Sequence, residues 1–533
     1  MNRPPETKPA SRDDELKDPR VARREKLRQL IARGIDPFGS RFDGRTLIGE
    51  CRRRAAEIRF VTEAGESLEL PDFDASTDPP PDYRQWKSER GPGEEVGPTV
   101  RVAGRIMLSR DKGKLVFLTL RDWTGEIQIF IGMKQVGEDD FALAKLFDLG
   151  DLVGAEGRLG RTNTGELTVF AERLFLHAKM LEPAPDKHAG IADPDLRQRM
   201  RYADLAFNDG VMQTFLDRTQ IVRSIRRTLD GQGFCEVEGP TLHTVAGGAA
   251  ARPFRTHHNA LDIDLTMRIA LELHLKRLMV GGMERVYELG RVYRNEGLSP
   301  RHNPEFTMLE AYQAYGDYRS MMDLTEQLIC DAIDCVGGGT VRPVAGREID
   351  FTPPFRRATY AELLGEATGI DPADDQAVIR CGAGLGLETA GKHPDVIRNE
   401  IFEAKVEDTL EGPLFVIDYP ASICPLTKRK ADRPEIAERF ELFVAGMEVA
   451  NAYTELNDPD LQQRLFETQL EGLAEEESMA KMDHDFIRAL RYAMPPAGGL
   501  GVGIDRLVML LTDRKSIRDV ILFPVLRPEN PAT

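Results

Sequence analysis

Apolar and polar residues alternate in short runs between residues 100 and 181, which predicts β-strands with one buried face. Turn residues at Thr124-Gly125 and Thr164-Gly165 separate some of these runs. Five strands with one helical interruption near residues 141–147 suit an OB-fold barrel. The strands are predicted at residues 100–107, 115–121, 126–131, 152–158 and 167–174.

Three side chains on the predicted barrel are candidates for binding single-stranded bases. Phe117 is expected to be exposed and to stack on a base, while Gln128 and Glu166 on other strands hydrogen-bond to base edges. Each of them taken alone is more often an ordinary strand residue.

A basic helix is predicted near the N-terminus. Asp18-Pro19 has the pattern of an N-cap followed by proline at the first helical position, and Gly34 ends the helix after Ala32. Its basic residues form either a solvated face or an arm that contacts phosphates, and the sequence leaves both interpretations open. The apolar stripe is Val21, Leu27, Leu30 and Ile31, and the basic residues are Arg20, Arg23, Arg24, Lys26, Arg28 and Arg33.

After Asp195, helical and strand patterns are mixed to the end of the chain, which predicts an α+β fold. A helical stripe of apolar residues stops at Gly231, and residues 234–240 follow as a predicted strand that ends in proline. Taken alone, this pattern is weak evidence of function. The stripe consists of Phe215, Val222, Ile225 and Leu229.

The most informative segment has the pattern strand, loop, strand. Arg294 and Glu296 share a parity in the first predicted strand and so a face. Phe306, Glu310 and Tyr312 share a face of the second. The alternative is a solvated surface hairpin, but such a hairpin would not explain an aromatic ring, Phe306, among the charged side chains. A site for a flat anionic ligand beside a cationic one explains the mixture better.

Two glutamates, Glu441 and Glu448, flank a turn near Ala445-Gly446, and a hairpin there places them almost opposite each other. Facing carboxylates repel unless a cation or protons intervene. Mg²⁺ prefers such oxygen ligands, and nucleotide phosphates complete its shell. The alternative is two surface glutamates that point apart. Beside the Arg294 segment, we favour the magnesium site.

A second acidic group is predicted to line one pocket. Three glutamates in a partly dry pocket are costly unless the ligand brings positive charge, and lysine brings two ammonium groups. Glu310, Tyr312 and Glu455 are predicted to hold the distal ammonium. The whole group is Glu272, Glu310, Tyr312, Asn451, Tyr453 and Glu455.

The same pocket has a predicted place for the remaining groups of an amino acid. Glu272 and the backbone at Gly248 are expected to hold the α-amino group, and Arg294 and Asn451 to face the carboxylate.

A glycine-rich run at residues 499–503 precedes a predicted helix that reaches Leu511. Arg506 lies in the first turn, where a positive charge is poorly placed for the helix dipole. That placement is sensible if Arg506 binds a triphosphate. Taken alone, such a turn serves packing more often than function.

The composition is that of an ordinary globular protein: 533 residues, 41% hydrophobic and 30% charged. A net charge of −17 argues against a protein that coats nucleic acid non-specifically. There is no membrane-length apolar run and no signal-peptide stretch, which predicts a cytoplasmic protein without a membrane partner. The six scattered cysteines are expected to be core thiols rather than zinc ligands.

Residues 60–98 have the composition of a linker or insertion, with two proline-rich stretches, and are expected to be poorly ordered. The expected organisation is a basic arm at 1–45, a variable insertion at 46–98, an OB-fold barrel at 99–182, a linker at 183–200 and a catalytic domain at 201–533.

Residues 294–312 resemble motif 2 of the class II aminoacyl-tRNA synthetases, in wording close to that of the bacterial-type lysine enzymes of subclass IIb. Residues 215–240 resemble motif 1, which builds a dimer interface, and residues 499–506 resemble motif 3. The departures from the lysine enzymes are Leu271 for an expected proline, Ala450 and Ala452 for glycines, and Tyr453 for phenylalanine.

The resemblance implies a catalytic domain on an antiparallel sheet, preceded by the all-β OB-fold barrel. It implies that Phe117, Gln128 and Glu166 read the anticodon and that Glu441 and Glu448 bind magnesium. A homodimer through residues 215–240 is expected to bury the apolar stripe. The implied ATP-binding residues are Arg294, Glu296, His302, Asn303, Phe306, Glu441 and Arg506.

The expected function is ligation of L-lysine to tRNA(Lys) through a lysyl-adenylate, with release of pyrophosphate and AMP. Arg294 and Arg506 would act by positioning and charge neutralisation. The three glutamates argue against an aspartate or asparagine enzyme, and the barrel against a ligase that lysylates a protein. Arg294, Glu448 and Arg506 argue against a non-catalytic tRNA-binding relative.

Overall fold

The computed structural model describes residues 18–73, 82–185, 190–249, 251–470 and 483–529. The chain separates into two compact units. The first contains Met1–Ala192 and Ala206–Asn208, and the second contains Asp193–Leu205 and Asp209–Thr533. None of the helices described is both long and apolar enough to cross a membrane.

The first unit begins with the predicted basic helix, α1 (Pro19–Ala32), whose N-cap carboxylate, Asp18, accepts a hydrogen bond from the Arg20 N–H at 2.9 Å. The predicted apolar stripe is only partly right, because Leu30 is buried whereas Val21 and Ile31 are exposed.

Two basic side chains of α1 are tied to their own unit. Arg23 donates to the backbone carbonyls of Leu149 and Met180, at 2.8 and 3.0 Å. Lys26 forms an ion pair with Asp148 at 2.6 Å. The sequence left open whether the basic residues of this helix are solvated or contact phosphates. For Arg23 and Lys26 the structure shows a third role, because both attach the helix to the rest of the first unit.

The expectation that residues 60–98 are poorly ordered is wrong for the part of them that the structure describes. Three strands form an antiparallel sheet in the order β2-β1-β3, and Phe60 is fully buried with its ring 5.7 Å from Trp86. Aromatic residues scattered among turn residues supply this small core. The elements are α2 (Ile48–Arg54), β1 (Arg59–Thr62), β2 (Ser67–Glu69), α3 (Tyr83–Ser88) and β3 (Gly93–Val96).

The predicted barrel is present. Five strands close it in the order β4-β5-β6-β8-β7, with β6 and β8 paired in parallel. Alternate residues of each strand, such as Val116, Leu118 and Leu120, are buried inside. The elements are β4 (Thr99–Asp111), β5 (Leu115–Asp122), β6 (Gly125–Gly132), α4 (Met133–Ala144), β7 (Leu152–Arg161) and β8 (Leu167–Ala178).

The second unit is built on an eight-stranded, mainly antiparallel sheet in the order β17-β18-β19-β20-β21-β14-β13-β9. Smaller sheets are formed by β10-β12-β11 and β15-β16. The strands are β9 (Cys235–Glu236), β10 (Leu242–His243), β11 (Arg255–His258), β12 (Ile263–Met267), β13 (Arg285–Tyr293), β14 (Glu305–Ala314), β15 (Val341–Val344), β16 (Arg347–Asp350), β17 (Arg356–Thr359), β18 (Leu414–Ile417), β19 (Arg439–Val444), β20 (Met447–Thr454) and β21 (Ala497–Gly503).

Helices cover this sheet, and the α+β prediction for the region therefore holds. The helices after the barrel are α5 (Pro194–Arg199), α6 (Arg201–Phe207), α7 (Val211–Gly231), α8 (Glu272–Val280), α9 (Tyr318–Val336), α10 (Tyr360–Thr368), α11 (Asp375–Gly384), α12 (Pro394–Lys405), α13 (Pro459–Leu470), α14 (His484–Leu490) and α15 (Ile504–Leu511).

The apolar stripe of α7 is buried inside the second unit. Phe215, Ile225 and Leu229 are each at most 8% exposed, and α7 packs against α9. The sequence argument for a dimer assumed that this stripe is free to pack against a partner subunit. The structure shows that the stripe already packs inside its own subunit. The strand predicted at 234–240 is also shorter, because only Cys235–Glu236 pairs, in parallel, with β13.

Candidate active site

One cavity of about 520 Å³ lies in the second unit and gathers most of the predicted site residues. The strands β14, β20 and β21, the helix α8 and the start of α15 all contribute to its wall. Of the residues predicted to bind lysine, ATP or magnesium, two, Glu441 and Glu455, are not among the described residues that line it. The predicted residues that do are Gly248, Glu272, Arg294, Glu296, His302, Asn303, Phe306, Glu310, Tyr312, Glu448, Asn451, Tyr453 and Arg506.

The acidic end of the cavity depends on the missing side chain of Gly499. This residue lies opposite Tyr312 and Tyr453 on the neighbouring strands. A Cβ atom there would lie 1.9 Å from Glu455 Oε1 and 2.6 Å from Tyr312 Cε1. The glycine therefore lets a carboxylate and a tyrosine ring pack against the strand.

Glu310 is buried at this end with both oxygens bonded. Oε1 accepts the Leu271 N–H at 2.9 Å, and Oε2 accepts the Tyr312 hydroxyl at 3.1 Å. Burial, followed by repulsion from Glu272, raises the pKa of Glu310 to about 7. A proline at position 271 has no N–H, so this departure from the lysine enzymes adds a donor to the pocket.

Tyr453, another departure, also adds a donor, because its hydroxyl lies near the Glu272 carboxylate. Ala452 lies in the hydrophobic core and is not among the residues that line the cavity. The methyl group of Ala452 therefore does not narrow the cavity. The departures at 271 and 453 change hydrogen bonding instead.

Glu455, predicted to hold an incoming ammonium together with Glu310 and Tyr312, has a cationic partner within the protein. Glu455 is fully buried, and its Oε2 already pairs with the ammonium of Lys276. The same ammonium donates to Glu272 Oε1 at 2.5 Å. Sequence reasoning missed Lys276, although its place one helical turn after Glu272 was a visible signal.

Lys276 is charged at neutral pH. Burial by itself lowers the pKa of Lys276, but the attraction of Glu272 and Glu455 outweighs it and leaves that pKa above its ordinary value. The pKa of Glu455 is raised, because burial and repulsion from Glu272 together exceed the opposing effect of Lys276.

Arg294 and Glu296 follow β13 and do not lie in it, so the predicted strand parity is wrong for this pair. The strand ends at Tyr293, and the Glu296 N–H bonds to the Arg294 carbonyl at 2.8 Å. The Arg294 guanidinium nevertheless reaches the cavity and lies 5.2 Å from the centre of the Phe306 ring. Burial lowers the pKa of Arg294, but a guanidinium stays charged at neutral pH.

Arg506 and His302 meet at the opposite end of the cavity. Arg506 donates to the Glu448 carbonyl at 2.8 Å, and its Nη2 lies 3.2 Å from His302 Nε2. A guanidinium has no acceptor, so His302 Nε2 accepts and its Nδ1 donates to the Ser299 hydroxyl at 2.8 Å. Burial, then Arg506, lowers the pKa of His302, which keeps it neutral at pH 7.

A buried carboxylate next to Arg506 fixes its helix, and sequence reasoning missed it. Asp505 accepts the Thr307 N–H and the Arg218 guanidinium, both at 2.6 Å. These bonds tie α15 to β14 and α7. The sequence offered one indication of this role: Asp505 lies in the first turn of a predicted helix, where a negative charge interacts favourably with the helix dipole.

Glu441 and Glu448 are not directly opposite each other. A register shift between Leu442 and Phe443 places Glu441 opposite Asn451 and Glu448 opposite Phe443. A β-bulge of this kind cannot be read from residue spacing.

The two carboxylates nevertheless suit a hard cation. Both oxygens of Glu441 are bonded, to Arg439 and to the Tyr419 hydroxyl, and each keeps a second lone pair. Repulsion from Glu448 is one cause, after burial, of the raised pKa of Glu441. Within the described ranges no three His, Cys, Asp or Glu side chains form a metal-binding group. Ligands from a bound molecule would have to complete the shell.

The three barrel candidates differ in accessibility. Phe117 is half-buried, with its ring 5.4 Å from that of Phe130, and Glu166 is exposed. Gln128 is only 4% exposed, and its amide is bonded to Arg110 at 2.6 Å and to Thr168 at 3.0 Å. The Gln128 amide therefore already has two partners within the barrel, and one of them is the Arg110 guanidinium.

Residues 193–527 match the family described as tRNA synthetases class II (D, K and N). The chain belongs to the class II tRNA synthetases. In this synthetase, residues 100–176 also match the OB-fold nucleic acid binding domain. The predicted architecture, an OB-fold barrel followed by a class II catalytic domain, is thereby confirmed.

Curated relatives extend the match to nearly the full length of the synthetase. A lysine–tRNA ligase of Moorella thermoacetica is 47% identical over 515 residues, which cover 96% of this chain and 98% of the relative. A lysine–tRNA ligase of Staphylococcus aureus (strain MW2) is 46% identical over 520 residues, which cover 96% and 99%. The resemblance to the lysine enzymes that motif 2 indicated is confirmed.

Proposed function

We propose that the chain is a lysine–tRNA ligase, which joins L-lysine to tRNA(Lys) and converts ATP to AMP and pyrophosphate. The observation that carries the proposal is the opposite charge of the two ends of one cavity. Buried carboxylates, Glu272 and Glu310, lie at one end, and Arg294 and Arg506 lie towards the other. An amino acid with two ammonium groups fits the first end, and a nucleotide triphosphate fits the second.

The reaction has two steps. A carboxylate oxygen of lysine attacks the α-phosphorus of ATP, the bond from that phosphorus to the bridging oxygen breaks, and pyrophosphate leaves. The terminal ribose hydroxyl of the tRNA then attacks the carbonyl carbon of lysyl-adenylate, loses its proton and displaces AMP. Neither step needs a covalent bond to the protein, so catalysis rests on positioning and electrostatic stabilisation.

The lysine substrate is assigned to the acidic end. Its ε-ammonium would bind Glu310, Tyr312 and the carboxylate of Glu455, which lies directly behind Gly499 of the cavity wall. Its α-amino group would bind Glu272 and the backbone at Gly248. Arg294 and the amide N–H groups of Asn451 would donate to the carboxylate and orient it.

ATP is assigned to the cationic end. Phe306 would stack on adenine, and Arg294 and Arg506 would neutralise the phosphates. His302 and Asn303 would position Arg506 and the loop after β13, and Glu296 would contact the nucleotide. Arg294 would contact both substrates, because the lysine carboxylate must approach the α-phosphorus of ATP for the new bond to form.

Magnesium is proposed to bind Glu441 and Glu448, with ATP phosphates completing its shell. When bound, it would neutralise phosphate charge. The hard oxygen atoms of both carboxylates and the repulsion between them support this assignment.

Three further proposals concern partners and location. Phe117, Gln128 and Glu166 would read the anticodon of tRNA(Lys), with Arg110 beside them. A homodimer would form through residues 215–240, where β9 is the edge strand of the large sheet. Light scattering at micromolar concentration tests it, since a fully active monomer contradicts it. We also propose a cytoplasmic location.

The test of the function is amino-acid-dependent exchange between ATP and pyrophosphate without tRNA. L-lysine should support exchange, whereas L-aspartate and L-asparagine should not, because neither brings a side-chain cation to the acidic end. Exchange with aspartate or asparagine but not lysine would refute the proposal.

A further inference from the structure

Lys276 is a fully buried lysine on the inward face of α8, beside Leu275 and Met279, which are also buried. Lysine is among the residue types least often found fully buried. Its ammonium contacts Glu272 and Glu455 and lies 5.6 Å from the centre of the Tyr453 ring.

Stability alone does not explain this arrangement. A buried ion pair recovers its desolvation cost only with good geometry, and apolar side chains of similar volume are often as stable or more stable. Neighbouring positions of α8 carry leucine and methionine. A third aliphatic residue at position 276 would be compatible with the helix, but it would leave two buried carboxylates without their cation.

The carboxylate of Glu455 is held by the charge of Lys276. Oε2 is the oxygen that pairs with the ammonium. Both oxygens are buried, and neither has a hydrogen bond of good geometry among the described residues. Oε1 lies against Gly499, which lines the cavity. The ion pair with Lys276 is therefore the contact that keeps this buried carboxylate in place beside the cavity.

Lys276 changes the charge that the pocket presents. Glu272, Glu310 and Glu455 bring three negative charges when ionised, and Lys276 neutralises one of them, so two remain. The two ammonium groups of L-lysine neutralise these two, while the lysine carboxylate faces Arg294. Without Lys276, one buried negative charge would stay uncompensated after lysine has bound.

We propose that Lys276 is a specificity-determining positioning residue: it bridges Glu272 and Glu455 and sets the pocket charge at a value that only a doubly cationic amino acid neutralises. This inference rests on the proposed function, because it presumes that the acidic end binds lysine. Lys276 acts through the two glutamates and does not touch the substrate.

The test uses the full-length protein and the neutral variant Lys276→Met, with Lys405→Met, an exposed lysine of α12, as the matched control. Exchange is measured with L-lysine and with 6-hydroxy-L-norleucine, in which a hydroxyl replaces the ε-ammonium. In Lys276→Met, the KM for lysine should rise on the order of tenfold or more while the KM for ATP stays within about twofold. The preference for lysine over the hydroxyl analogue should fall by a similar factor.

A second variant separates charge from packing. Lys276→Arg keeps the cation, and it should retain more of the lysine preference than Lys276→Met. Thermal unfolding with and without lysine gives a readout independent of activity, and the stabilisation by lysine should be smaller in Lys276→Met than in Lys405→Met. If Lys276→Met does not fold, Lys276→Gln, which is also neutral, takes its place.

The outcomes distinguish the two proposals. If the unmodified protein does not activate lysine, the proposed function fails. If it does, but a folded neutral variant keeps the lysine KM and the preference over the hydroxyl analogue, Lys276 is only a structural ion pair and the inference is overturned.

Discussion

The two ends of the cavity treat charge in different ways. At the acidic end, Glu272, Glu310 and Glu455 are at most 5% exposed, and Lys276 neutralises part of their charge within the protein. At the other end, the Arg506 side chain is 23% exposed, and its partner carboxylate, 40% exposed, lies 3.4 Å away. The acidic groups are held by donors of the protein, Lys276 among them, while Arg506 remains partly exposed.

This difference indicates what each end is built to bind. A small ligand with charges at fixed positions requires carboxylates that are oriented before it arrives, so that binding does not have to order them. A triphosphate brings several charges of its own, and the partly exposed Arg506 is placed to neutralise them as they arrive. Changes at the acidic end should therefore alter amino-acid affinity, and changes at the cationic end should alter the rate.

Arg294→Ala should give the largest effect, because Arg294 faces both substrates. Loss of a preorganised charge at the reacting phosphate should lower the exchange rate on the order of 10²–10³-fold. The matched control is Arg291→Ala on β13, where Arg291 lies 3.8 Å from Glu305 in a partly exposed pair. The control should change the rate by less than about twofold. Equal effects of the two changes would contradict the assignment.

Glu455→Gln should separate the two ends. The variant loses a charge-assisted bond to lysine and weakens the hold on Lys276, so lysine binding should lose about 1.5–3 kcal/mol. The KM for ATP should change little, as should both constants in the exposed control Glu467→Gln on α13. A raised KM for ATP with an unchanged KM for lysine would place Glu455 in another role.

Phe117→Ala should affect neither end of the cavity, because Phe117 belongs to the barrel. Exchange should be unchanged, whereas tRNA charging should lose on the order of 1–3 kcal/mol from one stacked base. Trp123→Ala, a change at an exposed aromatic on the same barrel, is the control. A parallel loss of exchange and charging in Phe117→Ala would show that the ring serves the barrel core.

The acidic end should also respond to pH. The pKa of Glu310 is raised to about 7, and its ionised form binds an ammonium, so lysine binding weakens as the pH falls through 7. Between pH 8 and pH 6, the KM for lysine should rise on the order of tenfold. Glu310→Gln should reduce this dependence, and Glu455, whose pKa is also raised by burial, accounts for what remains. A profile that is the same in both proteins would assign the titration to another group.

The same shift affects stability in a defined direction. The folded, lysine-free protein holds the Glu310 proton more tightly than the unfolded chain does. Its free energy of unfolding should therefore fall as the pH rises from the ordinary value of 4.5 towards 7. Urea unfolding at several pH values measures this contribution by comparison with Glu310→Gln.

Local periodicity made much of the molecule predictable. The barrel strands follow from alternation, and Glu310 and Tyr312 share a face because β14 (Glu305–Ala314) keeps a period of two throughout. The same reasoning was wrong for Arg294 and Glu296, because β13 ends one residue earlier at Tyr293. Alternate residues share a face only within a strand, and the sequence does not show that this strand ends at Tyr293.

Register and small cores were less predictable. The shift between Leu442 and Phe443 moved Glu448 out of line with Glu441, although the turn at Ala445-Gly446 was correctly placed. In the segment 60–98, turn residues dominate the composition, and a few aromatic residues nevertheless bury enough surface to order the part described. The register shift and the ordered small core both depend on how side chains pack in three dimensions. Residue spacing and composition do not contain that information.

The sequence by itself determined the kinds of groups in the site: acidic residues for a cationic ligand, arginines for phosphates, and glycines where strands approach closely. Only the tertiary structure decided how the charges are paired. Glu272 and Lys276 are neighbours on one helix, but Glu455 follows β20 and reaches Lys276 because Gly499 leaves room for its carboxylate. The separation of Lys276 and Glu455 along the sequence does not predict this contact. The three charged side chains come together only when the sheet folds and buries them.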